Sequence, residues 1–249
     1  MFLDRARRLL SDWDAALEAA QAERKAIAGR IRVIAPVAVG QSLLARIASR
    51  FLLTHPDVTF QWELRNGPVD MIAANCDLWI QVGPAPRDDL VSRRIYDIRR
   101  AIVASPKWPQ ASHPRDFIAR PAVHLTSFVP SAVRLTRGND VFVLRHNAVF
   151  GTDNLHAAHV AALEGVGYAI LPLWLVMNDV RSGALSVLCP EWNPPGLQLS
   201  LAYHSAGRPG RVRALVDFME AELTSEKGLG VTYLKGIDAV DVVTTAASR

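Results

Sequence analysis

Apolar and polar positions along the chain fall into runs that switch between a helical and a strand period. Leu3, Ala6, Leu10, Trp13, Leu17 and Ala20 recur in alternating steps of three and four, with Asp, Glu, Arg and Gln on the remaining faces. The spacing predicts an N-terminal helix that Gly29 closes. Such a stripe can lie on its own domain or pair with another helix. It is narrow and stands outside the pattern that follows, so pairing with a second copy accounts for it better. Arg30 to Ala35 then reads as a buried strand, Pro36 to Gly40 as a turn, and Leu43, Leu44, Ile47, Ala48 and Phe51 as one face of a helix. Val58, Phe60, Trp62 and Leu64 alternate with Thr59, Gln61 and Glu63, a half-buried strand. Pro68 opens a short helix through Ile72 to Asn75, and Asp77 to Val82 is a further strand. Ile95 to Ser105 reads as one long strand stopped at Pro106.

The second half repeats this plan. Pro109 to Pro121 reads as loop and short helix, with strands at Val123 to Thr126 and Val141 to Leu144. Ala148 to Phe150 leads into the polar turn Gly151-Thr152-Asp153-Asn154. An apolar helix follows (Ala157, Ala158, Val160, Ala161, Leu163), and Gly165 and Gly167 stop it before the strand Tyr168 to Leu171. Leu197, Leu199 and Leu201 mark a last strand, and Val212, Leu215, Val216, Met219 and Leu223 share one face of a closing helix. Alternating strands and helices of this kind predict a largely parallel α/β architecture. In each half a strand runs into a helix N-terminus, where free N–H groups and the helix dipole favour an anion. Two such ends suit a small-molecule binding site better than a catalytic one.

Composition narrows the picture. With 249 residues, half of them hydrophobic, the chain can bury a large core in one domain or two lobes. A formal charge of +4 and a pI of about 9.4 are mildly basic and hint at anionic partners. Lysine occurs only at positions 25, 107, 227 and 235, so arginine carries most of the positive charge. Cys76 and Cys189 stand alone, without metal spacing or a disulfide framework. The first residues lack a signal-peptide core, and no stretch is long enough to span a membrane. These features point to a cytoplasmic protein.

Specific chemistry is sparse. The seven histidines are scattered. His156 and His159 share a helix face but lack a His-Glu-x-x-His frame, so neither zinc nor another metal is expected. Nucleophile-elbow, phosphate-loop and dinucleotide motifs are missing, so no cofactor and no enzyme activity are expected. Arg93, Arg94, Arg99 and Arg100 alternate across a strand and form no single nucleic-acid patch; a solvated edge or subunit contact is expected there. Residues 225–249 carry β-prone pieces with no assigned role.

Four stretches, in order, resemble the effector-binding region of LysR-type transcriptional regulators. They are Gly29 to Gly40 with Leu43, Leu44 and Phe51 to Val58; Val69 to Ile80 with Gly83; Arg94 to Pro106; and Leu163 to Pro172 with Gly183 to Leu185. The resemblance runs from about residue 1 to Leu223. It implies a periplasmic-binding-protein-like fold: two Rossmann-like α/β lobes joined by two crossover strands and preceded by a long linker helix. The implied division is a linker and dimerisation helix at 1–28, lobe I at 29–104 completed by 205–224, lobe II at 105–204, and a tail at 225–249. The resemblance also implies a small-molecule co-inducer between the lobes and assembly as a homodimer or homotetramer. DNA contact would come only from a winged helix-turn-helix domain, which this chain is expected to lack.

By position, the resemblance places ligand-binding residues at Ala38, Gln41, Ser42 and Gln81 in the first lobe, and at Thr126, Ser127, Thr152 and Asp153 in the second. First-turn N–H groups with Gln41 and Ser42 would hold a carboxylate. Thr152 and Asp153 serve equally well as helix N-caps, and Gln81 as a solvated strand end. Many family members carry a hydroxyl at the Ala38 position and arginine at the Gln81 position. Their loss here weakens the case for a simple carboxylate effector and permits a more neutral or aromatic one. A free-standing small-molecule-binding protein and an enzyme on the same scaffold are the alternative readings.

Overall fold

A computed structural model describes residues 27–83, 90–126, 131–204 and 210–224. The expected stripe over residues 1–26, the residues from 225 onward and Ser127 lie outside the described residues. The described chain forms two compact units. The first falls within Met1–Arg94 and Ser200–Glu222, the second within Ile95–Leu199.

In the first unit, β1 (Gly29–Ala35) pairs in parallel with β2 (Val58–Leu64) on one side and β3 (Leu78–Val82) on the other. The sheet order is β2-β1-β3-β12-β4, with β4 at Leu90–Ile98 and β12 at Leu197–His204. Between β1 and β2 the chain winds through Val37–Val39 and a π-helical turn, Gly40–Leu44, into helix α1 (Ala45–Thr54). Ile47, Ala48 and Phe51 face inward, as their spacing predicts. Phe51 stacks on Phe60 at 5.9 Å and meets Phe218 edge-on at 5.4 Å, so α1 and the closing helix α4 (Gly210–Thr224) share one layer. Val212, Leu215, Val216, Met219 and Leu223 of α4 are all buried. A second apolar cluster joins Ile34 and Trp79 of the sheet to Val69, Met71 and Cys76 of the following loop. That loop is turns rather than the expected helix: Asp70 caps it with its side chain, taking the N–H groups of Ile72 and Ala73.

The second unit holds the sheet β11-β5-β10-β6-β9. Its members are β5 (Arg100–Ala104), β6 (Pro121–Leu125), β9 (Asn147–Thr152), β10 (Tyr168–Pro172) and β11 (Ser186–Leu188). Strand β6 runs parallel to both β9 and β10, whereas β5 runs antiparallel to β10 and β11. Helix α2 (Leu155–Leu163) joins β9 to β10, and α3 (Leu173–Ser182) follows. A separate hairpin pairs β7 (Ala132–Arg137) with β8 (Asp140–Arg145).

The long strand expected at Ile95 to Ser105 is two strands. The break is at Arg99, whose carbonyl accepts the N–H of Leu173, and the chain changes sheet there. β5, expected within the first lobe, therefore belongs to the second sheet, because β10 and β11 take both of its edges. Arg100 is not a solvated edge residue. It is buried, and its Nε and Nη2 donate to the Pro195 carbonyl at 2.9 and 2.5 Å. Burial lowers its pKa to about 10.

Candidate ligand-binding site

In the first sheet the connection from β1 leads to β2 on one side while β3 lies on the other. The carboxyl ends of β1 and β3 are thus a point where strand order reverses, the usual place for a crevice in an α/β sheet. Pro36 to Ser42 leave from β1 there, and Gln81 to Gly83 from β3. The fold thereby brings Ala38, Gln41 and Ser42 onto one turn and sets Gln81 at the end of the neighbouring strand.

Local geometry settles what each can offer. Gly40 lets the turn approach the sheet: a Cβ there would stand 2.5 Å from Leu64 Cδ2 and 3.0 Å from Ala35 Cβ. The Gly40 carbonyl accepts the indole N–H of Trp62 at 3.2 Å. Ser42 Oγ donates to the Ala38 carbonyl at 2.8 Å, which spends its proton and leaves its lone pairs as acceptors. Gln41 is exposed and Ala38 half-buried. One first-turn donor is already used: the Val37 N–H goes to Asn66 Oδ1 at 3.1 Å, so fewer remain for a carboxylate than the helix start alone suggests. Asn66 was not legible as part of this turn, because it comes from the far end of β2. Gln81 is buried, not a solvated strand end, and its amide donates to the Gly83 carbonyl at 3.5 Å.

In the second unit Thr126 and Thr152 meet through the pairing of β6 and β9. Both the N–H and the hydroxyl of Thr126 donate to the Thr152 carbonyl, at 2.8 and 3.2 Å. The helix cap is Asn154, not Thr152 or Asp153. Its Oδ1 accepts the N–H groups of His156 and Ala157 at 2.9 and 3.0 Å, while Thr152 Oγ1 accepts that of Asn154 at 3.0 Å. Asp153 is exposed. Three adjacent polar residues each satisfy the capping rule, and sequence alone does not choose among them.

Reactive chemistry is subdued. Burial pushes the Cys76 thiol up to about 11 and that of Cys189 to about 12. His159 Nε2 and Asp179 Oδ2, 2.8 Å apart, tie α2 to α3. Among the described residues no group of three or more His, Cys, Asp or Glu is placed to hold a metal, and no helix is long and apolar enough to cross a membrane.

Known proteins share this architecture. The crystal structure of CrgA, a LysR-type regulator of Neisseria meningitidis, superposes with a TM-score of 0.70 at 22% identity, covering 89% of this chain and 77% of that one. The CrgA regulatory domain alone gives 0.68 at 22% identity, covering 79% of this chain and 99% of the other. The full-length Vibrio cholerae virulence activator AphB gives 0.68 at 21% identity, over 86% of this chain and 78% of that one. In sequence, the HTH-type transcriptional regulator YhjC of Escherichia coli (strain K12) is 26% identical over 192 residues, 74% of this chain. The chain spans 64% of that relative's length. PtxR of Pseudomonas aeruginosa is 25% identical over 228 residues, 89% of this chain and 73% of its own. These relatives are transcriptional regulators, not enzymes. Residues 24–224 match the LysR substrate binding domain. With a periplasmic-binding-protein-like fold and a match over most of its length, the chain belongs to the LysR substrate-binding domain family.

Proposed function

We propose that the chain is the effector-sensing and oligomerisation region of a transcriptional regulator. A small-molecule co-inducer is held by residues at the carboxyl ends of strands in both units. The observation that supports this most directly is the reversal of strand order at β1 and β3. It gathers Ala38, Gln41, Ser42 and Gln81 at one strand edge, with a glycine-dependent turn above it. Thr126, Thr152 and Asp153 supply hydroxyls and one carboxylate from the second unit, and Ser127 is proposed with them. The named residues include no arginine or lysine, and Asn66 removes one turn donor. The ligand class is therefore neutral and hydrogen-bonding, or aromatic, rather than a simple carboxylate. Binding would shift the population of arrangements by its differential affinity for them, and so would alter how copies assemble.

None of the described residues is assigned a sequence-specific DNA contact. In a gel-shift assay the chain alone should bind DNA weakly, indifferently to sequence and less with added salt. The site itself is tested by a thermal-shift screen of neutral, aromatic and aliphatic carboxylate metabolites. Hits should be mainly neutral or aromatic, and Ser42→Trp should abolish them while the circular dichroism spectrum stays unchanged. Hits that survive Ser42→Trp would remove the ligand from this turn, and one preferred promoter would overturn the assignment of DNA contact.

A further inference from the structure

The hairpin of β7 and β8 is anchored by one face only. Val133, Leu135 and Leu144 are buried, and Phe142 meets the rings of His113 and Trp192 edge-on. Cross-strand partners share a face, so Ala132 with Arg145, Arg134 with Val143, and Thr136 with Val141 make up the other one. On that face Val141 and Val143 are 46% and 51% exposed. Arg134 and Arg145 are exposed as well, and neither makes a hydrogen bond or ion pair among the described residues.

The backbone of β8 is open at the same residues. Thr136 exchanges both its N–H and its carbonyl with Asn193, at 3.0 and 2.8 Å, so its backbone groups turn away from β8. Bonded and non-bonded pairs alternate along an antiparallel ladder. Val141, opposite Thr136, therefore points its N–H and C=O away from β7, and so do Val143 and Arg145. No other described strand pairs with β8. An edge with exposed apolar side chains and open backbone groups is a template for one more strand.

We infer that residues 237–243 of this chain add to the open edge of β8 as an antiparallel strand. In that sense Asp238 faces Arg145, Val240 faces Val143 and Val242 faces Val141. One carboxylate then meets one unpaired guanidinium, and valine meets valine twice. A second copy of β8 on the same edge fits less well. It would gather Arg134 and Arg145 of both copies on one face with no carboxylate among them. Length permits the tail to reach: the stretch 225–236, when extended, spans up to roughly 40 Å, more than the roughly 30 Å diameter of a small domain.

Amide hydrogen exchange of the full chain, followed residue by residue by NMR, tests the inference. The N–H groups of Val141, Val143 and Arg145 should exchange at least about tenfold more slowly than unstructured amides, although no described strand covers them. Val240→Pro, which deletes an N–H that the added strand would donate, should release all three. Asp238→Arg should release them too, and Arg145→Asp in the same chain should restore protection at Val141 and Val143. The amides of Phe142 and Leu144, which face β7, should stay protected throughout and so show that the hairpin is folded in each variant. Free exchange at the three amides of the unaltered chain overturns the inference. So does protection that survives Val240→Pro, or a charge exchange that fails to restore it. Protection that rises with protein concentration would put a second copy on the edge and overturn it as well.

Discussion

Gly40 joins residue-scale geometry to the site, because its missing side chain is what lets the first turn lie against β1 and β2. The Leu64 methyl group that a Cβ would meet can swing away, but Ala35 Cβ at 3.0 Å cannot. Gly40→Ala should therefore cost about 1–3 kcal/mol of stability, the range of an overpacked core, read as a lower denaturant midpoint. At the second turn, Asn154→Ala should cost about 1 kcal/mol through the lost cap, whereas the exposed Asp153→Ala should stay within about 0.5 kcal/mol. The two cysteines give a third expectation. Burial raises both thiols, to about 11 and about 12, so at neutral pH they are protonated and shielded. A disulfide reagent should label neither in the folded chain and both after denaturation; rapid labelling at pH 7 would contradict their burial. At this scale sequence reading located the polar turns but not their wiring. It could not choose Asn154 over its neighbours, nor see that Asn66, distant along the chain, would take the Val37 N–H.

Among elements, those with a strong period were legible and those set by partners were not. The inward faces of α1 and α4 follow from spacing alone, since a helix buries i, i+3 and i+4 together. In α2 the match is poorer: Val160 is exposed, and the small residues Ala158, Ala161 and Ala162 make the packed face. The break at Arg99 leaves no mark in the hydrophobic pattern, because Ile95 and Ile98 before it and Ala101 to Ala104 after it are buried alike, though in different sheets. Strand β7 went unpredicted although Val133 and Leu135, both buried, carry a period of two, because the strand offers only these two large apolar residues among Arg134, Thr136 and Arg137. Helix α4 separates two kinds of stabilisation. Arg93 reaches Glu220 at 2.5 Å and Arg50 reaches Glu222 at 2.6 Å, but these pairs are partly exposed, so Glu220→Gln should cost at most about 1 kcal/mol. Met219 is fully buried, and Met219→Ala should cost about 2–5 kcal/mol. Equal losses from the two substitutions, measured by urea unfolding, would mean that the ion pairs and not the apolar face hold α4.

For the whole molecule, the repeated strand–turn–helix plan was the part most open to sequence reading, and it led to the family. The division between the units was less open, because it depends on which sheet each strand joins. Both sheets close within the described residues, the first beginning at Gly29. We propose that the stripe of Leu3, Leu10, Trp13 and Leu17 serves association. Removing residues 1–26 should leave the cooperative unfolding transition near its original midpoint and lower the sedimentation coefficient toward that of a monomer. The full chain should be at least dimeric at the same micromolar concentration. A full chain that sediments as a folded monomer would refute the pairing role. A truncated chain that loses its unfolding transition would instead show the stripe packed on its own domain. The two measurements together distinguish a helix that joins copies from one that covers its own core.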